Sequence, residues 1–453
     1  MDDVKNNKKK KYKAIDFFCG GGGMTCGLRQ AGIEYDCFDD IEESPEWSFE
    51  DFRSVEQWTH GYHRYPAKFL PNVVKKIIED YSPSKCNLIA DLFAGCGTTL
   101  VEAKAHGKES IGTDINPVAR LITRVKTTPL VPEIIQSAYN ELIAFFPEYK
   151  EADYANIQKH ERLDYWFFPK EKTKIAFLYD AVRNLNADDP IKEFFYVCIS
   201  HILKNCSRWL QSGTKPQIDK NKVIPDPFEE FKLHCKKMIK SNGEYFTYLS
   251  DRGYLRTPCE IYLEDARHTS IKTESVDMII TSPPYVTSYE YADIHQLTAY
   301  WMDYISDMAA FRKEFIGTSY SGNSSFVVNG SRQAQEIVNA LAAKSKHIAY
   351  DVAQYFNDMQ EVAKEMARIL VRNGRACVVI GNTKIKDVHI KSAEVFCEYL
   401  INAGLMKENV IKRSIPHKLM PTLRDTVTGK FTKSDNPNCK KVYPNEYIII
   451  MKK

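Results

Sequence analysis

Several features that would place this chain of 453 residues in other classes of protein are missing from it. No apolar run approaches the roughly 18 residues that a membrane-spanning helix needs, and the polar, basic N-terminus lacks the apolar segment of a secretion signal. The twelve cysteines form no C-x-x-C pair, so neither a zinc site nor a disulfide framework is predicted. The formal net charge is only +3, so a polyanionic partner has to be met by local basic patches. We therefore expect a cytoplasmic protein with reduced thiols and no membrane partner.

The length of the chain exceeds what one catalytic α/β sheet of about 250 residues requires. With 43% hydrophobic and 27% charged residues, the composition is that of a globular protein with a large core. A second module or large insertions are therefore predicted.

One stretch that indicates chemistry is 277–285, in which strand-favouring residues run into Ser282, Pro283, Pro284 and Tyr285. Two consecutive prolines fix φ and remove two backbone donors, so the strand must end there. The loop then stands at the carboxyl end of the strand, where open α/β sheets bind ligands. Hydroxyl and carbonyl oxygens in this loop suit a planar amine, and the tyrosine ring suits stacking on it. The alternative is a proline-rich turn that only ends a strand.

A second stretch indicates a nucleoside site. An apolar strand ends at Asp91, a turn with Gly95 and Gly97 follows, and a helix begins after it. Asp114 stands about 20 residues downstream, the spacing expected of a carboxylate that accepts bonds from ribose hydroxyls. The third glycine of the dinucleotide-binding fingerprint is absent, which favours a smaller nucleoside ligand over a pyrophosphate. The alternative is a tight strand–helix turn without a ligand.

Taken together, these residues resemble the amino-group DNA methyltransferases, which move a methyl group from S-adenosylmethionine to cytosine N4 or adenine N6. The resemblance covers roughly residues 60–125 and 255–453. It implies an α/β fold with a Rossmann-like sheet, helices on both faces, a large helical insertion and double-stranded DNA as substrate. In this family Ser at the first catalytic position favours cytosine N4, whereas Asp or Asn favours adenine N6. The implied catalytic residues are Ser282, Pro283, Pro284 and Tyr285, and the implied cofactor-binding residues are Phe69, Asp91, Phe93, Gly95, Gly97, Thr98, Asp114 and Asp265.

A second glycine-rich segment lies within residues 14–45. Its residues Asp16, Phe18, Gly20, Gly22, Gly23 and Gly27 resemble the first cofactor motif of a different family, the cytosine-5 DNA methyltransferases. The nucleophilic Pro-Cys loop of that family does not follow, because Pro258-Cys259 lies in the wrong context. We therefore interpret 14–45 as a remnant or an added βα unit, not as a second working site.

Residues 126–250 carry apolar residues at helical spacing and predict a helical insertion with a small core of its own. Within it, 165–168 (Tyr-Trp-Phe-Phe) is expected to be core, and the alternative reading of this run is a base-stacking platform. Arg208 and Lys215 are candidates for contacts with DNA phosphates, although a solvated basic face is an open alternative. We expect the insertion to flank the DNA cleft and to help select the target.

The C-terminal part predicts further elements of the sheet. Residues 306–345, rich in Ser, Gly and Asn, are predicted to form a mobile loop that closes over DNA. The basic, turn-rich segment 412–441 contains two more DNA-binding candidates, Arg424 and Lys430. By the resemblance, a final strand at 446–451 closes the sheet as part of a hairpin. The predicted organisation is a basic tail (1–13), an extra βα segment and linker (14–60), a cofactor-binding half (61–125), the insertion (126–250) and a catalytic half (251–453).

The sequence predicts cytosine-N4 transfer, with a cognate restriction endonuclease as a candidate partner. Three alternatives to this function stay open. The nearest is adenine-N6 transfer to DNA. The second is methylation of RNA or of a protein side chain, for which no recognisable RNA-binding module is found. The third, from another class, is a catalytically silent DNA-binding specificity protein.

Overall fold

The computed structural model of the protein describes residues 38–49, 57–65, 68–157, 159–211, 213, 215–286, 290–320, 322, 324–415, 423–425, 435–441 and 445–453. Two compact units are present, residues 1–42 and 43–453. Of the first unit only residues 38–42 are described, with a 3-10 helix at Phe38–Asp40. The glycine-rich motif at 16–27 therefore lies outside the described residues.

A seven-stranded sheet forms the centre of the second unit, in the order β3-β2-β1-β4-β5-β11-β8. The pairs from β3 to β5 are parallel, and β11 is antiparallel to both β5 and β8. A closing strand near the C-terminus was expected from the sequence, and the structure confirms it. The strands are β1 Leu88–Asp91, β2 Glu109–Asp114, β3 Cys259–Leu263, β4 Val276–Thr281, β5 Leu370–Ile380, β6 Thr383–Ile385, β7 Val388–Ile390, β8 Met406–Ser414, β9 Leu423–Asp425, β10 Cys439–Lys441 and β11 Asn445–Lys452.

The strand order reverses direction between β1 and β4. From β1 the chain proceeds to β2 and β3 on one side, and β4 and β5 lie on the other side. Residues Met278, Ile279 and Ile280 of β4 are fully buried, as expected of a parallel strand covered on both faces. In open α/β sheets ligands bind at such a switch point, beyond the carboxyl ends of the strands. Both sequence motifs therefore emerge at the edge where a ligand is expected.

Helices cover the sheet and build the insertion. Many begin with proline in the first turn, where the missing backbone N–H leaves no hydrogen bond unmade. The helix Pro227–Asp251 is capped by Asp226, whose carboxylate accepts from the backbone N–H groups of Phe228 and Glu229. Among the described residues, no helix is both long and apolar enough to cross a bilayer. The helices are α1 Pro71–Tyr81, α2 Thr98–Ala105, α3 Pro117–Thr127, α4 Pro132–Ala144, α5 Glu151–Tyr154, α6 Arg162–Trp166, α7 Pro169–Asn184, α8 Asp189–Leu203, α9 Pro227–Asp251, α10 Tyr291–Ile294, α11 Gln296–Trp301, α12 Met308–Glu314, α13 Arg332–Ala342, α14 Lys346–Ile369 and α15 Ser392–Asn402.

The helical insertion spans α4 to α9, but its core is not its own. The buried cluster that contains Leu142, Phe195 and Phe231 also includes Val118 of α3 and Trp301 of α11. The expectation of a separate small core was therefore wrong. The physical reason is that α3 and α11 both present apolar faces that the sheet alone does not cover, and the insertion buries them.

The segment 306–345 was predicted to be a mobile loop, and this was also wrong in part, because it contains α12 and α13. Its polar residues act as helix caps: Asp307 accepts from Ala309 N at 2.8 Å, and Ser331 accepts from Ala334 N at 3.1 Å. Residue types that are common in loops are also common at the N-cap of a helix. Composition alone therefore did not distinguish a loop from a capped helix.

Candidate active site

The two motifs meet at the carboxyl ends of β1 and β4. The Thr281 hydroxyl donates to Asp91 Oδ1 at 2.6 Å, and both residues are buried. The strands that carry them are paired in parallel, with Ile89 opposite Met278. The two loops therefore leave the sheet side by side, since the last residue of one strand is bonded to the last residue of the other.

The loop after β1 requires glycine at two positions. Gly95 and Gly97 have φ of +52° and +76°, in the left-handed region that disfavours other residues. A Cβ at Gly97 would lie 2.8 Å from Thr123 Cγ2, and a Cβ at Gly95 would lie 3.3 Å from Tyr65 Oη. The loop is thus held between α3 and the segment before α1, with no room for a side chain at either glycine.

Two carboxylates organise this loop. Asp91 Oδ1 also accepts from Phe93 N at 3.0 Å. Asp114, at the end of β2, accepts from Gly95 N at 2.9 Å and from Asn116 N at 2.8 Å, one bond at each oxygen. Burial raises the pKa of Asp91 and the pKa of Asp114 to about 6. An ionised carboxylate offers about four lone-pair sites, so Asp114 retains acceptor capacity for two ribose hydroxyls.

The other predicted cofactor-binding residues differ in their burial and in their contacts. Thr98 is buried at the start of α2, and Phe93 is half-buried. Phe69 packs against the cluster formed by α1 and β4, and the neighbouring Tyr65 is the residue that contacts Gly95. Asp265 follows β3, and both of its carboxylate oxygens are bonded by Arg267 Nε at 3.0 and 3.1 Å.

The segment before α1 is fixed in place by buried histidines that sequence reasoning missed. His60 Nε2 lies 2.8 Å from Glu102 Oε1, and His63 Nε2 lies 2.8 Å from Ser200 Oγ. Desolvation lowers the pKa of both histidines well below the usual value, so both are neutral at pH 7. Their hydrogen bonds fix the segment that carries Tyr65 to α2 and to the insertion.

In the catalytic loop, Ser282 and Tyr285 differ in their bonding. Ser282 is half-buried, and its hydroxyl has no partner among the described residues, so it is available to a ligand. Tyr285 Oη donates to Glu446 Oε2 at 2.9 Å. Pro283 is buried and Pro284 half-buried between them, which makes the loop rigid.

The anchor of Tyr285 was not predicted. Glu446 of β11 lies opposite Arg413 of β8, and the two form a buried ion pair. Burial, together with Glu446, raises the pKa of Tyr285 well above its ordinary value, so the phenol remains a donor. Gly381 follows β5, and a Cβ there would lie 3.1 Å from Tyr285 Cε2. In the sequence, Glu446 and Arg413 are simply two charged residues near the ends of predicted strands. Their pairing follows only from the register of β11 against β8.

Of the four DNA-binding candidates, the structure describes the side chains of Arg208 and Lys215. Arg208 and Lys215 belong to a small hairpin of the insertion that is closed by a bridge between Trp209 and Ile218. Arg424 belongs to β9, of which only the backbone is described. Lys430 lies outside the described residues.

Comparisons with known proteins show the family of the chain. A family model described as a DNA methylase, of the N6 and N4 type, matches residues 3–124 and 276–453. A Type II methyltransferase from Kocuria varians, M.MvaI, is 26% identical over 83% of this chain and 88% of its own length. Another from Methanocaldococcus jannaschii, M.MjaII, is 23% identical and covers 74% of each chain.

Among solved structures, a putative DNA modification methylase from Thermus thermophilus, complexed with S-adenosyl-L-methionine, shares 16% identity over 42% of this chain and 53% of its own, with a TM-score of 0.20. The family match alone covers more than half of the chain. It confirms the predicted amino-methyltransferase resemblance and S-adenosylmethionine as cofactor. The chain belongs to the N6/N4 DNA methylase family.

Proposed function

We propose that this protein transfers a methyl group from S-adenosylmethionine to the exocyclic N4 amine of cytosine in DNA. The observation that supports the proposal is the Thr281–Asp91 hydrogen bond of 2.6 Å, since Ser282 and the loop at 91–97 follow directly from these two bonded strand ends. The residues proposed to hold the cofactor are those predicted from the sequence, with Asp114 facing the ribose.

The residues fit this chemistry. When bound, S-adenosylmethionine supplies a methyl group on a sulfonium, which is an excellent leaving group. The cytosine amine is a poor nucleophile, because its lone pair is delocalised into the ring. Ser282 Oγ and a carbonyl of the proline loop accept the two amine N–H bonds, which localises that lone pair and directs it at the methyl group. Tyr285, held by Glu446, supports the base by stacking, typically worth about 1–3 kcal/mol per base.

Positioning supplies most of the acceleration in this account. In the transfer the amine nitrogen would form the new bond to the methyl carbon, the carbon–sulfur bond would break with its electron pair going to sulfur, and the amine would lose one proton to solvent water. The target base must first leave the helical stack, at a cost of a few kcal/mol. The rigid proline loop and the buried Glu446–Arg413 pair hold the receiving side fixed while this happens.

The choice of cytosine N4 rests on Ser282, through the family tendency described above. Nucleoside mass spectrometry of DNA from a methylation-free host that carries this gene tests it. N4-methylcytosine is expected. N6-methyladenine would overturn the base assignment but not the enzyme class. No transfer from labelled cofactor would favour a catalytically silent specificity protein.

The insertion is proposed to contribute phosphate contacts through Arg208 and Lys215. Replacing both with Ala should make the dependence of log K on log salt concentration shallower by nearly two units, since each phosphate contact contributes about 0.9. Arg183 and Lys240, both well exposed in α7 and α9, provide a charge-matched control pair that should leave the slope nearly unchanged. Equal slopes for the wild type and the Arg208/Lys215 variant would refute this role.

A restriction-modification context is proposed from the relatives, which are called Type II methyltransferases. Such an enzyme acts on nucleoid DNA in the cytoplasm beside a cognate endonuclease. DNA from a host that expresses this protein should then resist digestion by an extract of the source cells, whereas DNA from a host with Tyr285→Ala should be cut.

A further inference from the structure

Two aromatic rings of the insertion are exposed where the sequence predicted core. In the run 165–168, Trp166 and Phe167 are buried, but Tyr165 and Phe168 are 47% and 49% exposed. Trp166 stacks on Trp209 of the basic hairpin, with ring centroids 5.1 Å apart. The exposed rings therefore stand on a rigid, buried base instead of a flexible loop.

Each exposed ring has an arginine beside it. The Arg162 guanidinium lies 5.2 Å from the centre of the Tyr165 ring, and the Arg208 guanidinium lies 5.1 Å from the centre of the Phe168 ring. Arg208 Nη1 also donates to Tyr165 O at 3.2 Å, which joins the two ring–arginine pairs into one surface. We call these four residues the aromatic–arginine surface.

The charge of this surface is not neutralised. Among the described residues, no carboxylate forms an ion pair with Arg162 or Arg208, although most other arginines of the described fold are paired in this way. A guanidinium carries five N–H donors, and Arg208 uses one of them on Tyr165 O. The remaining donors and the exposed ring faces together suit a ligand that is both anionic and flat.

This surface is connected to the helices that follow the catalytic loop. Lys159 pairs with Asp303, the His160 ring lies 4.0 Å from the Tyr300 ring, and Phe167 packs against Trp301. Residues just before the surface thus lie against α11, and α10 and α11 begin a few residues after Tyr285. The surface therefore adjoins a helix that follows the proline loop in the chain.

We propose that the aromatic–arginine surface binds an unstacked nucleobase of the DNA substrate, with Tyr165 and Phe168 stacking on the base and Arg162 and Arg208 contacting the flanking phosphates. This inference rests on the proposed DNA substrate. Aromatic rings next to cationic groups bind unstacked bases without regard to sequence, because every base has a π face. Eversion of the target leaves unstacked positions in the duplex, and the surface stabilises that opened state.

The test compares two fluorescent probes by anisotropy, a fully paired duplex and the same duplex with one extrahelical base. The wild type should bind the second probe more tightly. Phe168→Ala and Tyr165→Ala should each lose roughly fivefold or more on the extrahelical probe and keep their affinity for the paired duplex. Phe168→Leu, which retains apolar bulk without the ring, should behave like Phe168→Ala, and Phe168→Trp should keep the preference.

Ile134→Ala serves as the matched control, because Ile134 is an exposed apolar residue of the same insertion, 53% accessible. It should leave both affinities unchanged. Equal losses on the two probes, or no loss on either, would overturn the inference. This experiment measures binding alone. Absence of methyl transfer by the wild type would be found in the separate nucleoside assay, and it would count against the proposed function and not against this inference.

Discussion

The hydrogen bond between Thr281 and Asp91 can be removed with little change in the size of the side chain. Thr281→Val replaces the hydroxyl with a methyl group of similar size and leaves the strand-favouring branch at Cβ intact. Asp91 Oδ1 then keeps its bond from Phe93 N at 3.0 Å but loses the shorter one of 2.6 Å. The remaining carboxylate is 2% exposed, so water cannot replace the lost donor at low cost.

The magnitude follows from the charge of the acceptor. A hydrogen bond to a charged group contributes about 1.5–3 kcal/mol, and one between neutral groups about 0.5–1.5 kcal/mol. With a pKa of about 6, Asp91 is ionised at pH 8 and protonated at pH 5. Thr281→Val should therefore lower the free energy of unfolding by roughly 1.5–3 kcal/mol at pH 8, and by less at pH 5. Loss of the bond lets the two strand ends shift relative to each other, and because small displacements of reacting groups cost up to about a hundredfold, kcat should fall by roughly tenfold.

Thr113→Val is the matched control, since the Thr113 hydroxyl is equally buried and donates to the neutral Leu92 carbonyl at 2.9 Å. It joins β2 to the same loop without touching the catalytic loop. Chemical denaturation at both pH values and steady-state methyl transfer should separate the two variants. If Thr281→Val and Thr113→Val lose equal stability at pH 8 and both keep full turnover, the reasoning is refuted.

Other predictions concern individual groups of the site. Tyr285→Ala should abolish methyl transfer and leave calorimetric binding of S-adenosylmethionine unchanged, whereas Tyr285→Phe, which keeps the ring and loses only the bond to Glu446, should retain part of the activity; a fully active Tyr285→Ala would contradict the assignment. Gly97→Asp should abolish cofactor binding, because its φ is +76° and a Cβ would lie 2.8 Å from Thr123; intact binding would instead place the cofactor at the motif within 14–45. Cofactor affinity should fall below pH 6, as protonation of Asp114, with a pKa of about 6, removes an acceptor for the ribose, and Asp114→Asn should show a smaller fall, since only Asp91 of the two loop carboxyls then titrates in this range.

The parts of the site that the sequence predicted are those that depend on local rules. Two apolar strands, each followed by a turn that cannot continue it, place Asp91 and Thr281 at the ends of strands. Because the carboxyl ends of parallel strands share one edge of the sheet, where ligands bind, the two loops come together there. Most of the prediction therefore depended on the backbone conformations that proline and glycine impose or allow.

The parts that the sequence missed depend on contacts between distant segments. Glu446 and Arg413 become neighbours only through the register of β11 against β8. Tyr65 lies over Gly95 because buried histidines fix its segment to α2 and the insertion. No periodicity or spacing along the chain encodes such pairings, so these residues could be found only from the structure.

Burial within the insertion shows the same limit. The run 165–168 is uniformly aromatic, yet Trp166 is 1% exposed and Phe168 is 49% exposed. Both the helix end at Trp166 and the hairpin that stacks on it decide which rings are covered. Hydrophobicity identified the run as structural, and only the packing revealed two rings facing outward beside arginines.

The most direct test of the account is a crystal structure of the protein with S-adenosylhomocysteine. The account predicts that the ribose of the ligand contacts Asp114 and that its sulfur faces the space between the loop at 91–97 and Ser282. Density for the ligand at the segment 14–45, or a sulfur directed away from the proline loop, would contradict it.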